Sequence, residues 1–391
     1  MKNKEKAELF IRNAVTNRHN KLSIQMKTTI KREDILAPLQ QVIGAVERRQ
    51  TLPILGNVLL KSIGGDLSLT ATDLEIEMVA RISADSSDDF QTTIPARKLL
   101  DICKALPESA VIKFNIEDSR VSLTSARSRF SLAALPAKDF PGLEEIEAQQ
   151  TFSIPQNVFK SLFDKTSFAM AQQDVRYYLN GILMEISSDN IKLVATDGHR
   201  LALSETSLDT GVADEKQIII PRKAVLELSR LLDSDDSQVK CVLSQNHLRV
   251  ETDALVFTTK LIDGKFPDYQ RVIPVDGNKT MEVDRETLKN SMSRIAILSN
   301  EKYRGIRLTL TAGNLSIQAN NPDQEEAEEE LQIDYNESDV EIGFNVTYLI
   351  DVLNVIDSEK VQVKLKDSNS SAIISDSEDD SSLYVVMPMR L

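Results

Sequence analysis

The chain has 391 residues, with 46 Lys and Arg against 60 Asp and Glu, so its formal net charge is −14. Its 41% apolar and 27% charged residues are the mix of an ordinary globular protein, and its length suits roughly two to four domains. The acidic balance excludes sticking to nucleic acid or an anionic membrane by bulk charge, and no apolar run approaches the roughly 20 residues of a membrane span.

Residues 1–25 read as a basic N-terminal extension, expected to be disordered. Lys2, Lys4, Lys6, Arg12, Arg18 and Lys21 oppose only Glu5 and Glu8, a local charge of +4. At Met26 a new pattern begins and then recurs. The first copy opens with a helical stretch, Arg32 to Val46, in which apolar positions recur at three and four. Two alternating runs follow, NVLLKS and LSLTATDLEIEM, joined at Gly64-Gly65, which is hairpin chemistry. A second helix is expected over PARKLLDICKAL from Pro95, then strands VIKFNIE, VSLTSA and RFSLAAL.

The second copy repeats this order. Its helix spans Pro155 to Ala171, its runs are GILMEIS and IKLVATDGHRLALS around Ser188-Asp189-Asn190, and its second helix is PRKAVLELSRLL from Pro221. Strands QVKCVLS, HLRVETD and VFTTKLI close it. The third copy has a helix from Arg285 to Leu298, runs GIRLTLT and LSIQANN around Ala312-Gly313-Asn314, a helix NVTYLIDVLNVI from Asn345, and strands VQVKLKD, SAIISD and SLYVVMP. Proline in the first turn of two of the second helices suits a helix start. The opening helices begin 123 and 130 residues apart, one domain-sized unit three times. The expected domains are 26–149, 150–277 and 278–391.

The six helical windows together carry +5, so the rest of the chain carries −19. Helices sharing one face could therefore offer a positive track to a phosphate backbone. Cys103 and Cys241 stand in no C-x-x-C context, and His19, His199 and His247 form no cluster. A disulfide framework and a structural metal are excluded, and a reducing cytoplasm is expected.

Several motifs carry a specific resemblance. TLPILGN (51–57), TATDLEIEM (70–78), FPGL (140–143), QDVRYYLNG (173–181), VATDGHRLA (194–202), DGKFPDYQRV (263–272), ILSNEKYRG (297–305), NNPDQEEAEE (320–329), EIGFNV (341–346) and VVMPMRL (385–391) resemble the bacterial DNA polymerase III beta subunit, the sliding-clamp family. The resemblance runs from Met26 to Leu391. It implies an α+β fold of three tandem clamp domains, each with two helices on an inner face and antiparallel sheets outside. It also implies a head-to-tail dimeric ring around duplex DNA that tethers the polymerase. Twelve helices at about 9 Å spacing make a circle about 34 Å across, leaving about 24 Å clear for a duplex; six helices would leave about 7 Å.

The resemblance also implies sites. A head-to-tail contact joins two different surfaces. One would carry Lys98, Arg120, Arg127, Arg129, Phe130 and Leu132, with Arg127 and Arg129 alternating with Phe130 and Leu132 in one strand-like run. The other would carry Ile297, Leu298, Glu325, Glu326, Glu328 and Glu329. Sequence-independent phosphate contacts would come from Arg49, Arg97, Gln173, Arg176, Tyr177, Tyr178, Arg222 and Lys223. A cleft for short apolar motifs of polymerases, the clamp loader and other partners would combine Leu179, Thr196, Gly198, His199, Arg200 and Leu201 with Pro267, Arg271, Val272, Asn345, Tyr348, Ser371, Val385, Met387, Pro388 and Met389. Gln172 stands where relatives often have His, and Asn369 where the familiar ones have an apolar residue beside the cleft.

No cofactor and no catalysis are expected. Asp197-Gly198-His199-Arg200 has no paired nucleophile, and paired carboxylates occur only in acidic runs. The alternative function is a repeat-built protein-interaction scaffold without a DNA role.

Overall fold

The computed structural model describes residues 26–47, 52–82, 89–117, 119–143 and 146–390. The N-terminal extension and Arg49 lie outside the described residues. The chain divides into two compact units, one up to Glu145 together with Asp253–Phe257, the other Ile146–Thr252 with Thr258–Leu391.

In the first unit, β1 (Met26–Lys31) runs directly into α1 (Arg32–Val42). The hairpin strands β2 (Asn57–Ile63), β3 (Asp66–Thr72) and β4 (Ile76–Ile82) follow, then β5 (Phe90–Pro95), α2 (Ala96–Ala105), β6 (Val111–Glu117), β7 (Arg120–Ser125) and β8 (Ser128–Ala133). The strands pair antiparallel in the orders β5-β2-β3-β4 and β1-β6-β7-β8.

The second unit plays this order twice. Its first half holds β9 (Gln150–Pro155), α3 (Gln156–Thr166), β10 (Gly181–Ile186), β11 (Asn190–Thr196), β12 (Arg200–Ser207), β13 (Lys216–Pro221), α4 (Arg222–Leu231), β14 (Gln238–Leu243), β15 (His247–Glu251) and the Thr258–Lys260 end of β16 (Leu255–Lys260), whose first three residues are counted with the first unit. Its second half holds β17 (Lys279–Asp284), α5 (Arg285–Ile295), β18 (Gly305–Thr311), β19 (Asn314–Asn320), β20 (Glu326–Gln332), β21 (Val340–Asn345), α6 (Val346–Val355), β22 (Lys360–Leu365), β23 (Ala372–Asp376) and β24 (Ser382–Val386). The halves are joined by the β12–β24 pair, which makes one sheet of β13-β10-β11-β12-β24-β23-β22-β17. A separate four-stranded sheet runs β20-β19-β18-β21.

The repeat is closely metric. The opening helices α1, α3 and α5 each have 11 residues, and α2, α4 and α6 each have 10. Each helix buries one stripe, such as Ile35, Pro38, Leu39 and Val42 on α1. The strands alternate buried and exposed positions, as β22 does with Val361, Val363 and Leu365 inside.

Three expectations change. Each copy opens with a strand, not with the helix. These six-residue strands are too short for their period to stand out, and they are held by distant partners, as Met26 is by Ile116. The opening helices are also shorter than expected, because each finishes in a 3-10 turn: Ile43–Ala45, Ser167–Ala169 and Ala296–Leu298. Finally, Pro95 and Pro221 sit at the N-cap position, as the last residue of a strand rather than in the first turn. Proline is tolerated there because its missing N–H falls at the end of a ladder.

Candidate functional site

A shared turn anchors the site. After β11, Thr196 Oγ1 donates to the Arg200 carbonyl at 2.6 Å and accepts from Gly198 N at 3.1 Å. Asp197 Oδ1 accepts from the backbone N–H of His199 at 2.8 Å and of Arg200 at 3.1 Å. The first copy builds the same turn with Thr72 and Asp73, which bond Ile76, Leu74 and Glu75 in the matching pattern. The third residue needs positive φ in both, +89° at Gly198 and 78° at Leu74. Glycine takes that conformation without strain, and here it also admits a neighbour. A Cβ on Gly198 would lie 3.1 Å from Arg176 Nη2.

Arg200 leaves this turn and is held on every side. Its Nε donates to Asp197 Oδ2 at 3.1 Å, Nη1 to Asp351 Oδ2 at 2.5 Å and Nη2 to the Phe168 carbonyl at 2.7 Å. Its Cζ lies 4.5 Å from the centre of the Tyr348 ring and 5.2 Å from that of Phe168. The His199 ring stacks on Tyr348, with centroids 6.5 Å apart and planes 22° apart. Burial, and then the Asp197 carboxylate, raise the Tyr348 phenol above its ordinary pKa.

The chain end closes over the same region. Met387 N donates to the His199 carbonyl at 2.9 Å, and Met389 N donates to the Gly343 carbonyl at 2.8 Å. The tail Met387-Pro388-Met389, half-buried, therefore ties the turn that leads into β12 to β21. Asn345 caps α6, its Oδ1 accepting from Thr347 N at 2.9 Å. Ser371 precedes Ala372, which pairs with Val386, so it stands level with Met387.

Beneath lies an apolar cluster of Ala171, Leu179, Leu183, Val194, Leu201, Ile219, Phe266, Tyr269 and Val385, with Tyr178 packed against it. Three of the expected cleft residues, Leu179, Leu201 and Val385, thus come together. Phe266 and Tyr269 were missed, although both fall inside the FPDYQRV stretch. Tyr269 donates its hydroxyl to Glu185 Oε2 at 2.7 Å. Burial and that bond push its pKa up. The 3-10 turn Tyr269–Val272 is anchored in this way and presents Arg271 and Val272 to solvent, with Pro267 exposed just before it.

The expected phosphate contacts are less uniform. Gln173 has φ of 57° in an exposed loop, and Tyr177 is exposed. Arg176 is exposed but engaged, its Nε and Nη2 donating to Asp174 at 3.0 and 2.9 Å. Those bonds hold Asp174 well below the usual carboxylate range, at about 2, and raise Arg176. Tyr178 is half-buried in the apolar cluster rather than presented with Tyr177. Arg97 is exposed on α2; Arg222 and Lys223 are half-buried on α4, with Arg222 Nη1 donating to the Met170 carbonyl at 3.2 Å.

The two charged sets occupy sheet edges. In the first unit β8 is an edge strand. Arg129 is exposed on it, while Phe130 and Leu132 face Leu123 and Val121 across the ladder and are half-buried. Arg127 lies in the β7–β8 turn, one residue short of the strand. Arg120 and Lys98 are exposed.

In the second unit the acidic run is itself an edge strand, β20, paired only with β19 in its sheet. Glutamate is a poor strand former, but an edge tolerates charge and uses it to repel wrong partners. Glu328 accepts from Gln318 at 2.6 Å, Glu325 from Asn321 at 2.6 Å, and Glu329 from Arg294 Nε at 3.0 Å. The Arg294 pair lowers the Glu329 pKa. Ile297 is 75% exposed in the 3-10 turn after α5, with Leu298 half-buried beside it.

Among the described residues no group of His, Cys, Asp and Glu is placed to hold a metal ion, and no helix is long and apolar enough to cross a membrane.

Comparisons with known proteins agree along most of the chain. Residues 26–144, 153–268 and 270–390 match family models described as the N-terminal, central and C-terminal domains of the DNA polymerase III beta subunit. A protein named beta sliding clamp from Pseudomonas aeruginosa is 55% identical over 367 residues, 94% of this chain and 100% of that one. The beta sliding clamp of Escherichia coli (strain K12) is 49% identical over the same shares. A crystal structure of the P. aeruginosa DNA polymerase III subunit beta superposes with a TM-score of 0.91 at 54% identity, covering 94% of this chain and 100% of that one. Another, of the P. aeruginosa clamp bound to griselimycin, has a TM-score of 0.91 at 55% identity over the same shares.

Proposed function

Because the chain belongs to the family of bacterial DNA polymerase III beta subunits, we propose that two copies close head to tail into a ring around duplex DNA and act as a non-catalytic processivity factor in the cytoplasm. Each copy would contribute three clamp domains, 26–149, 150–277 and 278–391.

The observation that carries this reading is the pair of open sheet edges of opposite charge. β8 exposes Arg129 with half-buried Phe130 and Leu132 behind it, and β20 exposes a run of glutamates. An unpaired edge is a template for another strand. A basic edge and an acidic edge complement each other but repel their own kind, which selects head-to-tail over head-to-head closure. Ile297, exposed near the acidic edge, would add apolar contact. Ion pairs so exposed guide register more than they hold the ring shut.

DNA would be held by enclosure. Arg97, Gln173, Tyr177, Arg222 and Lys223, with Arg49 outside the described residues, offer weak contacts to phosphate and sugar that carry no sequence information. Arg176 would join them only by exchanging Asp174 for a phosphate. Partners such as polymerases and the clamp loader would dock by short apolar motifs in the cleft around Leu179, Leu201, Val385 and the Met387–Met389 tail. We place griselimycin in the same cleft of this chain.

The test is topological. Once loaded, the protein should remain on nicked circular DNA and run off after the circle is cut. Equal retention on circular and linear DNA would instead support a scaffold without a DNA role.

A further inference from the structure

Asp351 is bonded to Arg200, although it is not one of the residues that the family resemblance places in the cleft. Asp351 lies on α6 three positions after Tyr348, so the two side chains share one helix face. Both engage Arg200, which comes from β12 in the other half of the unit. The guanidinium is planar, with its donors in a fixed fork. Its orientation is therefore set by the acceptors at its corners: Asp197 at Nε, the Phe168 carbonyl at Nη2 and Asp351 at Nη1. Asp197 and Phe168 belong to the same half as Arg200. Asp351 alone among the three comes from the half that carries Tyr348. The guanidinium it anchors has its Cζ 4.5 Å from the centre of the Tyr348 ring, and His199 stacks on that same ring.

We propose that Asp351 is a positioning residue of the partner cleft: it fastens Arg200 to α6, so that Arg200, Tyr348 and His199 form one rigid wall. Asp351 acts on the occupant through Arg200. This rests on the reading of the cleft as the partner site. A rigid wall lowers the ordering cost that a bound ligand would otherwise meet.

A second ion pair crosses the same junction and serves as the control. Lys165 on α3 meets Asp379, in the turn before β24, at 3.3 Å. It would tie the halves together as Asp351 does, but its recorded bonds run between Lys165, Asp379 and Ser381, none of them a cleft residue.

Griselimycin is titrated into the full-length protein and into D351N, R200K, D351N/R200K and K165M, with thermal unfolding of each followed in parallel. The wild type is expected to bind and D351N to bind about ten-fold more weakly, equivalent to about 1.4 kcal/mol. D351E should recover most of the loss by restoring the carboxylate. In the R200K background, D351N should cost less than about two-fold further, because the fork it orients is already gone. K165M should bind as the wild type does. Unchanged affinity in D351N overturns the proposal. So does an equal loss in both backgrounds, or an equal loss in K165M, since either would assign the effect to docking of the halves. Failure of the wild type to bind would overturn the cleft reading and this proposal with it, an outcome distinct from wild-type binding with D351N unaffected.

Discussion

Arg200 and Asp351 are 151 positions apart and meet at 2.5 Å. Their side chains are 12% and 30% exposed, so the pair is shielded from salt and solvent more than a surface bridge. Removing the Arg200 side chain takes the ion-pair partner from Asp351 and leaves Asp197 with its backbone donors alone. R200A should therefore cost the second unit about 2–3 kcal/mol, somewhat less than breaking a fully buried pair, and urea unfolding should show a lower midpoint.

The opposed edges make a prediction about assembly. R129E should weaken the dimer at least about ten-fold, because like charges would face each other at the closure. The added change E326R should recover part of that loss. Sedimentation at micromolar concentration across a salt series measures both, and a wild-type chain found only as monomer would contradict the ring.

Asp174 gives a sign-defined response to pH. Its folded pKa is about 2 against an ordinary 3.8, held down by the side-chain and backbone bonds from Arg176. A carboxylate lowered on folding contributes stability that is fully present above about 4 and is lost as pH falls through about 2. The Asp174 carboxyl signal followed by NMR should titrate near 2, and R176A should move it up toward 3.8.

The two thiols should be silent in the folded protein. Cys103 is buried and burial pushes its pKa to about 12; burial pushes Cys241 up as well. Since the thiolate is the reacting form, iodoacetamide at pH 8 should leave both unmodified by mass spectrometry, and denaturant should expose both.

Gly198 tests the turn. G198A puts a side chain at φ of +89° and a Cβ 3.1 Å from Arg176. The expected cost is about 1–2 kcal/mol of stability, read by urea unfolding, together with weaker griselimycin binding.

Part of this protein is legible in its sequence because the signals are local. The alternation in LSLTAT and IKLVAT, the helical stripe of Ile35, Leu39 and Val42, and the recurrence of one order three times are each written within a few tens of residues. So is the turn of Thr72-Asp73 and Thr196-Asp197, since its side chains bond their own backbone two to four positions on. The opening strands were not legible, because each is six residues long and its ladder partners lie 76 to 93 positions away.

Tertiary structure decided the rest. The glutamate run has the wrong propensity for a strand, yet it becomes β20 because β19 supplies its hydrogen bonds and the edge leaves its charges in water. Tyr177 and Tyr178 are adjacent and chemically identical, and only packing sends one to solvent and the other to the apolar cluster. Arg200 looks like one more surface charge until β12 pairs with β24 and brings α6 against it. Composition set the charge, and local patterning set the repeats. The site arises only where β12, α6 and the chain end converge, because an ion pair or an apolar cluster depends on distance in space and not on separation along the chain.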